Sequence, residues 1–190
     1  MPDGMPAGGS FARGALLTLP NVITFARLCA VPLAVWLVLR GSLVGAFTLF
    51  VAAAISDAID GWLARRTGSF SALGAVLDPV ADKALLVTMY VTLAAVDILP
   101  DWLAILVVFR DVLIVGGILV LGLLGHRVAL RPLRLSKANT AMQLVLVSVA
   151  LALAAFGLAA PILLNVLIWT TAATTLASGT GYVARAVRAA

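Results

Sequence analysis

The chain has 190 residues, of which 63% are hydrophobic and only 11% charged, with a mean hydropathy of +1.16. A soluble domain carries about a quarter charged residues, so an ordinary water-soluble globule is excluded. Six spans of roughly 20 residues each would use most of the length, which leaves no room for a large extramembrane domain. Thirteen Lys and Arg stand against eight acids, for a net charge of +5. These cations are dispersed as a topology signal and form no single basic patch, so no nucleic-acid partner is expected.

Residues 1–20, with Gly4, Gly8, Gly9 and Gly14, three prolines and Arg13, read as a flexible N-terminal tail. Residues 21–190 read as one membrane domain. The first long apolar run begins near Val22, carries Arg27 and continues for a full span, so it reads as a first helix and not as a cleaved secretory signal. Hydropathy and breakers predict helices over 22–39, 43–64, 78–97, 102–124, 138–157 and 161–184. Pro32 bends the first, Pro100 precedes the fourth, and Pro161 opens the sixth, where a missing N–H is harmless. Gly41 and Gly45 suit either close helix contact or a flexible join. The single cysteine, Cys29, permits no intrachain disulfide and is expected as a small buried hydrophobe.

The fold expectation is therefore an all-α integral membrane protein with six transmembrane helices and both termini cytoplasmic. That orientation puts Arg13, Arg65, Arg66, Arg127, Arg131, Arg134, Arg185 and Arg188 inside and only Arg40 outside. Asp97 and Asp101 then lie in an outer loop as solvated charges.

All eight acids are Asp, and four of them fall between 57 and 82, in or beside apolar stretches where an unpaired charge is costly. Asp57 and Asp60 are i,i+3 neighbours; Asp78 and Asp82 are i,i+4 neighbours. The stretch between them contains Gly68, Ser69, Ser71 and Gly74, enough turn character to bring the two helices side by side with four carboxylates converging. Four anions at one place repel unless cations neutralise them, and an all-oxygen set suits Mg²⁺ or Mn²⁺. Zinc is disfavoured, because the only histidine, His126, is distant in sequence. Gly61 and Gly74 leave the backbone approachable, and Arg65 offers a planar donor fork for phosphate oxygens. The combination points to a diphosphate ligand and phosphoryl-type transfer. The plainer reading makes these acids helix-end charges paired with Arg65, Arg66 and Lys83.

The string Asp57-Ala-Ile-Asp60-Gly61-Trp-Leu-Ala64-Arg65, followed by Gly74, Asp78 and Asp82, resembles the signature DxxDGxxARx8Gx3Dx3D of the CDP-alcohol phosphotransferases at all its fixed positions. The resemblance implies a six-helix membrane enzyme, a homodimer, that uses two divalent cations, Mg²⁺ or Mn²⁺, to transfer a substituted phosphate from a CDP-linked donor to an alcohol with release of CMP. By position it implies metal ligands at Asp57, Asp60, Asp78 and Asp82, with Asp82 also the general base. It places the CDP donor on Asp57, Gly61, Ala64, Arg65 and Gly74, at an active site facing the cytoplasm.

Two stretches, Leu19-Pro20-Asn21-Val-Ile-Thr24-Phe-Ala-Arg27 and Leu77-Asp78-Pro79-Val-Ala-Asp82-Lys83, look like the branch that makes phosphatidylglycerophosphate and cardiolipin, with CDP-diacylglycerol as donor. Arg110-Asp111-Val-Leu-Ile and Ser136-Lys137-Ala-Asn139-Thr140-Ala-Met-Gln143 look more like CMP-forming cardiolipin synthases, whose acceptor is phosphatidylglycerol. A phosphatidylglycerophosphate synthase using glycerol 3-phosphate is the alternative. Arg110 and Lys137 suit the phosphate that either acceptor carries, although Arg110 paired with Asp111 and Lys137 snorkelling to the interface would explain them equally. A divalent-cation transporter is the rival of another class; it would place its acids between repeated halves, and no repeat is visible.

Overall fold

A computed structural model of the chain describes residues 19–67, 74–123 and 134–189, and the side chains of 25–57, 59, 83–117 and 135–184 within them. The described residues form six helices and no strand: α1 (Leu19–Leu39), α2 (Leu43–Thr67), α3 (Gly74–Ala95), α4 (Asp101–Leu123), α5 (Arg134–Phe156) and α6 (Pro161–Ala189). At 1.5 Å per residue, even the 21-residue α1 is about 32 Å long, the thickness of a hydrocarbon core. Two segments, Leu135–Phe156 and Pro161–Ala184, are both long and apolar enough to cross a membrane, and Phe25–Leu39, Leu43–Asp57 and Lys83–Ala95 are shorter apolar helices. All six expected helices are present, with ends shifted by up to about five residues.

Three helix ends explain the boundaries. Gly41 has φ +73°; its N–H donates to the Val38 carbonyl and the Ser42 N–H to Leu37, closing α1 in a left-handed cap that glycine adopts without strain. Gly157, at φ +63°, ends α5 with the Leu158 N–H on the Leu153 carbonyl. α3 closes by the same pattern, with Asp97 N–H on Ala94 and Ile98 N–H on Leu93, but the left-handed residue is Asp97 at φ +58°. Gly45 serves close contact instead: a Cβ there would meet Ser42 Oγ at 3.0 Å and a Leu37 methyl at 3.3 Å.

The helices pack as a closed ring. α1 touches α2 and α3, α2 touches α5, α5 touches α6, α6 touches α4, α4 touches α3, and a narrower α3–α5 contact crosses the middle. The core gathers on α3, where Met89, Tyr90 and Leu93 are buried with Phe50, Leu103, Leu146 and Leu151. The outer surface is apolar as well, with Phe25, Ile105, Phe109, Ile162 and Trp169 exposed, as a lipid-bathed bundle requires. Trp36 stacks under Arg40 at 5.6 Å, and Trp102 meets Trp169 at 5.3 Å.

The ring corrects two expectations. α2 and α3 do not touch each other directly among the described residues, because α1 and α5 each pack against both of them and fill the space between. Cys29 is exposed and not buried, because it shares the outward face of α1 with Phe25 and Trp36.

Candidate active site

α2 ends at Thr67 and α3 begins at Gly74, so the six residues joining them limit the separation of these helix ends to about 25 Å. On α2, Asp57 and Asp60 lie ten and seven residues before that end; on α3, Asp78 and Asp82 lie four and eight residues after the start. At 1.5 Å per residue, the four backbone positions fall within about 15 Å of the same end of the bundle. Both pairs sit on uninterrupted helix, so the i,i+3 and i,i+4 spacings hold. The side chains of Asp60, Ala64, Arg65, Asp78 and Asp82, the surroundings of Gly61 and Gly74, and His126, Arg127 and Arg131 lie outside the described residues, as do residues 1–18 of the expected tail, whose last two residues begin α1.

Asp57 marks the site's inner wall. Its Oδ1 accepts an ion pair from Arg27 Nη1 of α1 at 3.0 Å; the Arg27 side chain is 4% exposed and that of Asp57 44%. Thus one carboxylate oxygen is fixed by a buried guanidinium while the group keeps access to the gap. A cavity of about 80 Å³ opens there, lined by Arg27, Asp57, Lys83 and Thr140 over a floor that includes Phe50 and Leu86. Four helices contribute to it, which is how α2 and α3 face one another without touching. The volume corresponds to about two or three waters.

Lys83, one residue beyond Asp82, does not pair with Asp57. Its Nζ donates to both oxygens of Asp111 on α4, at 2.9 and 2.8 Å. Arg110 Nη1 holds the same carboxylate at 2.6 Å, while Nη2 donates to Ser136 Oγ of α5 at 2.7 Å and to Ser178 Oγ of α6. The Tyr182 ring lies 6.0 Å from the guanidinium. Arg110 is 4% exposed, so four helices meet at one buried charge cluster. Lys137 stands apart, exposed on α5 and without an ion-pair partner among the described residues. The structure thus brings Arg110 to Asp111, as one of the two readings of that pair held, and leaves Lys137 outside the cluster.

Beneath the charges, α5 and α6 share a polar stripe. Thr174 and Thr175 hydroxyls donate to Asn139 Oδ1, each at 2.9 Å, and Gln143 and Thr171 are fully buried beside them. Such bonds replace the hydrophobic drive that is missing between helices in lipid.

The donor chemistry fits a hard divalent ion. Asp57 offers a half-exposed carboxylate with one oxygen held by Arg27, three more aspartates lie within eight residues of the same helix ends, and the ammonium of Lys83 is drawn off to Asp111. Among the described residues no three acidic, histidine or cysteine side chains come together, since the other three aspartate side chains lie outside them. The polar residues whose contacts the sequence did not show are Arg27 as the partner of Asp57, and Lys83, Ser136 and Ser178 as partners in the Asp111–Arg110 cluster. All are polar residues on otherwise apolar helices, and that was the one signal available.

A family model for CDP-alcohol phosphatidyltransferase matches residues 17–177. The chain is 36% identical over 188 residues to a chloroplastic CDP-diacylglycerol--glycerol-3-phosphate 3-phosphatidyltransferase of Oryza sativa subsp. japonica, covering 90% of this chain and 57% of the relative. It is 33% identical over 184 residues to the Homo sapiens cardiolipin synthase (CMP-forming), covering 87% and 60%. It is 32% identical over 193 residues to a probable phosphatidylglycerophosphate synthase of Mycobacterium tuberculosis, covering 96% and 88%. The chain therefore spans about three fifths of the first two relatives and most of the third. The chain belongs to the CDP-alcohol phosphatidyltransferase family.

Proposed function

We propose that the protein transfers a phosphatidyl group from CDP-diacylglycerol to an alcohol with release of CMP, and that the acceptor is phosphatidylglycerol, giving cardiolipin. Glycerol 3-phosphate, giving phosphatidylglycerophosphate, is the second reading; relatives named for each product match over most of the chain. The observation that carries the proposal is Asp57, accessible on a cavity between α2 and α3, with three further aspartates close to the same helix ends on a matched family signature.

In this reading the chain is a six-span membrane domain over 21–190 behind a tail at 1–20, with both termini and the active site on the cytoplasmic side, and it works as a homodimer. The apolar outer surface and the six helices of spanning length support it. The α2–α3 connection is then cytoplasmic, and the left-handed caps at Gly41, Asp97 and Gly157 are outside.

Asp57, Asp60, Asp78 and Asp82 hold two divalent cations, Mg²⁺ or Mn²⁺, which when bound offset the charge that develops on the diphosphate. Arg27 orients Asp57 by fixing one of its oxygens. Asp57, Gly61, Ala64, Arg65 and Gly74 receive the CDP moiety, with Arg65 donating to diphosphate oxygens. Asp82 accepts the proton of the acceptor hydroxyl as its oxygen bonds to the diacylglycerol-linked phosphorus and the bond to CMP breaks. Arg110 and Lys137 receive the acceptor's phosphate. Because both Nη atoms of Arg110 are engaged, it does so by exchanging Ser136 or Ser178 for phosphate oxygens.

The deciding experiment supplies CDP-diacylglycerol with phosphatidylglycerol and, in parallel, with glycerol 3-phosphate to protein in liposomes, and identifies the lipid formed. Cardiolipin is expected; phosphatidylglycerophosphate alone would establish the second reading. CMP release that persisted in excess chelator would refute the metal site, and cation flux without CMP release would favour transport.

A further inference from the structure

Lys83 raises a difficulty that its surroundings resolve. It follows Asp82 directly in the chain and lines the same cavity as Asp57. A flexible ammonium on the cavity that Asp57 lines is a natural competitor of a divalent ion there, because it can offset the same negative charge. The side chain is 37% exposed, so its stem is not locked by packing. What restrains it among the described residues is Asp111, which takes the ammonium on both oxygens at 2.9 and 2.8 Å.

Asp111 is the fixed member of that pair. Its side chain is 10% exposed, Arg110 holds one of its oxygens at 2.6 Å, and Arg110 is itself anchored to Ser136 and Ser178 on two other helices. The buried acid is thus clamped from α4, α5 and α6, while the lysine of α3 comes to it.

We propose that Asp111 is a positioning residue that restrains and neutralises Lys83, keeping this ammonium off the neighbouring aspartates and leaving them free to bind divalent cations. The inference rests on the reading of those aspartates as a divalent-cation site. It gives Asp111 a role on the donor side of the reaction, although its helix carries Arg110 on the acceptor side.

The test measures Mn²⁺ binding to the purified full chain in detergent, without substrates, from the electron paramagnetic resonance signal of free Mn²⁺. In Asp111→Asn the freed ammonium should weaken Mn²⁺ binding by roughly tenfold. Adding Lys83→Met to that variant should restore the affinity, a rescue that a merely structural role for Asp111 does not give. A folded Asp111→Asn protein with unchanged affinity, or a double variant with no recovery, would overturn the proposal. If Asp111→Asn does not fold, Lys83→Met alone decides: equal or tighter binding is expected, and weaker binding would overturn it. A wild-type protein that binds no Mn²⁺ would refute the metal reading itself and this inference with it.

Discussion

Asp82, in the first half of α3, and Asp97, just beyond its C-terminal end, give separate tests of chemistry and stability. In the proposed mechanism Asp82 takes a proton, and general-base catalysis contributes about 10² to 10⁴ in rate. Asp82→Asn keeps the shape and removes the base, so CMP release should fall by at least about a hundredfold with little change in the thermal midpoint in detergent. Asp97 carries a left-handed conformation, φ +58°, where the equivalent caps of α1 and α5 use Gly41 and Gly157. Asp97→Gly should therefore stabilise the protein by about 0.5–1 kcal/mol, read as a raised thermal midpoint with activity unchanged. At this scale helical spacing groups Asp57 with Asp60 and Asp78 with Asp82, because these partners are close in the chain, while the roles given to them come from the family resemblance. The Arg27–Asp57 and Lys83–Asp111 pairs were not legible, because a partner thirty or twenty-eight residues away depends on how whole helices are rotated.

Among elements, the glycines separate contact from tolerance. Gly45 sits where α2 meets the end of α1, with Ser42 Oγ 3.0 Å and Leu37 3.3 Å from the position of an added Cβ. Gly116 on α4 has nothing within 4 Å. Gly45→Leu should cost about 1–3 kcal/mol by overpacking, whereas Gly116→Ala should stay within about 1 kcal/mol of wild type, both measured by thermal unfolding in detergent. Helix existence and length could be read from hydropathy and from Pro100 and Pro161, whereas the left-handed ends at Gly41, Asp97 and Gly157 were not read as caps. The neighbour order could not, because the turn-rich stretch after Arg65 suggests α2 against α3 in the same way whether or not another helix packs between them. The cavity holding Asp57 exists because α1 and α5 keep those two helices apart.

For the whole molecule, the proposed orientation makes a direct prediction. In a Cys29→Ser background, a cysteine placed at Arg40 should react with a membrane-impermeant maleimide added to intact cells or right-side-out vesicles, and one placed at Arg66 only after permeabilisation. The reverse pattern would put the aspartates on the outer side. The six-helix count and the unequal distribution of arginines could be read from the order of apolar runs and charges, since a long apolar run satisfies its backbone as continuous helix and tolerates few charges. Of the buried cluster, the Arg110–Asp111 pairing was weighed from the sequence, whereas Ser136 and Ser178, which reach Arg110 from two other helices, were not legible as its partners.

The closed order of the helices also constrains assembly during synthesis. Because α6 supplies both the last seam, against α4, and the Ser178 hydroxyl that anchors Arg110, a nascent chain that holds only the first five helices still has an open side and an incompletely anchored arginine. Truncation before residue 178 should therefore leave a species prone to quality-control degradation, even though every aspartate of the signature is already in place. Supplying α6 as a separate peptide should rescue it, provided that peptide can enter the same bilayer and close the gap.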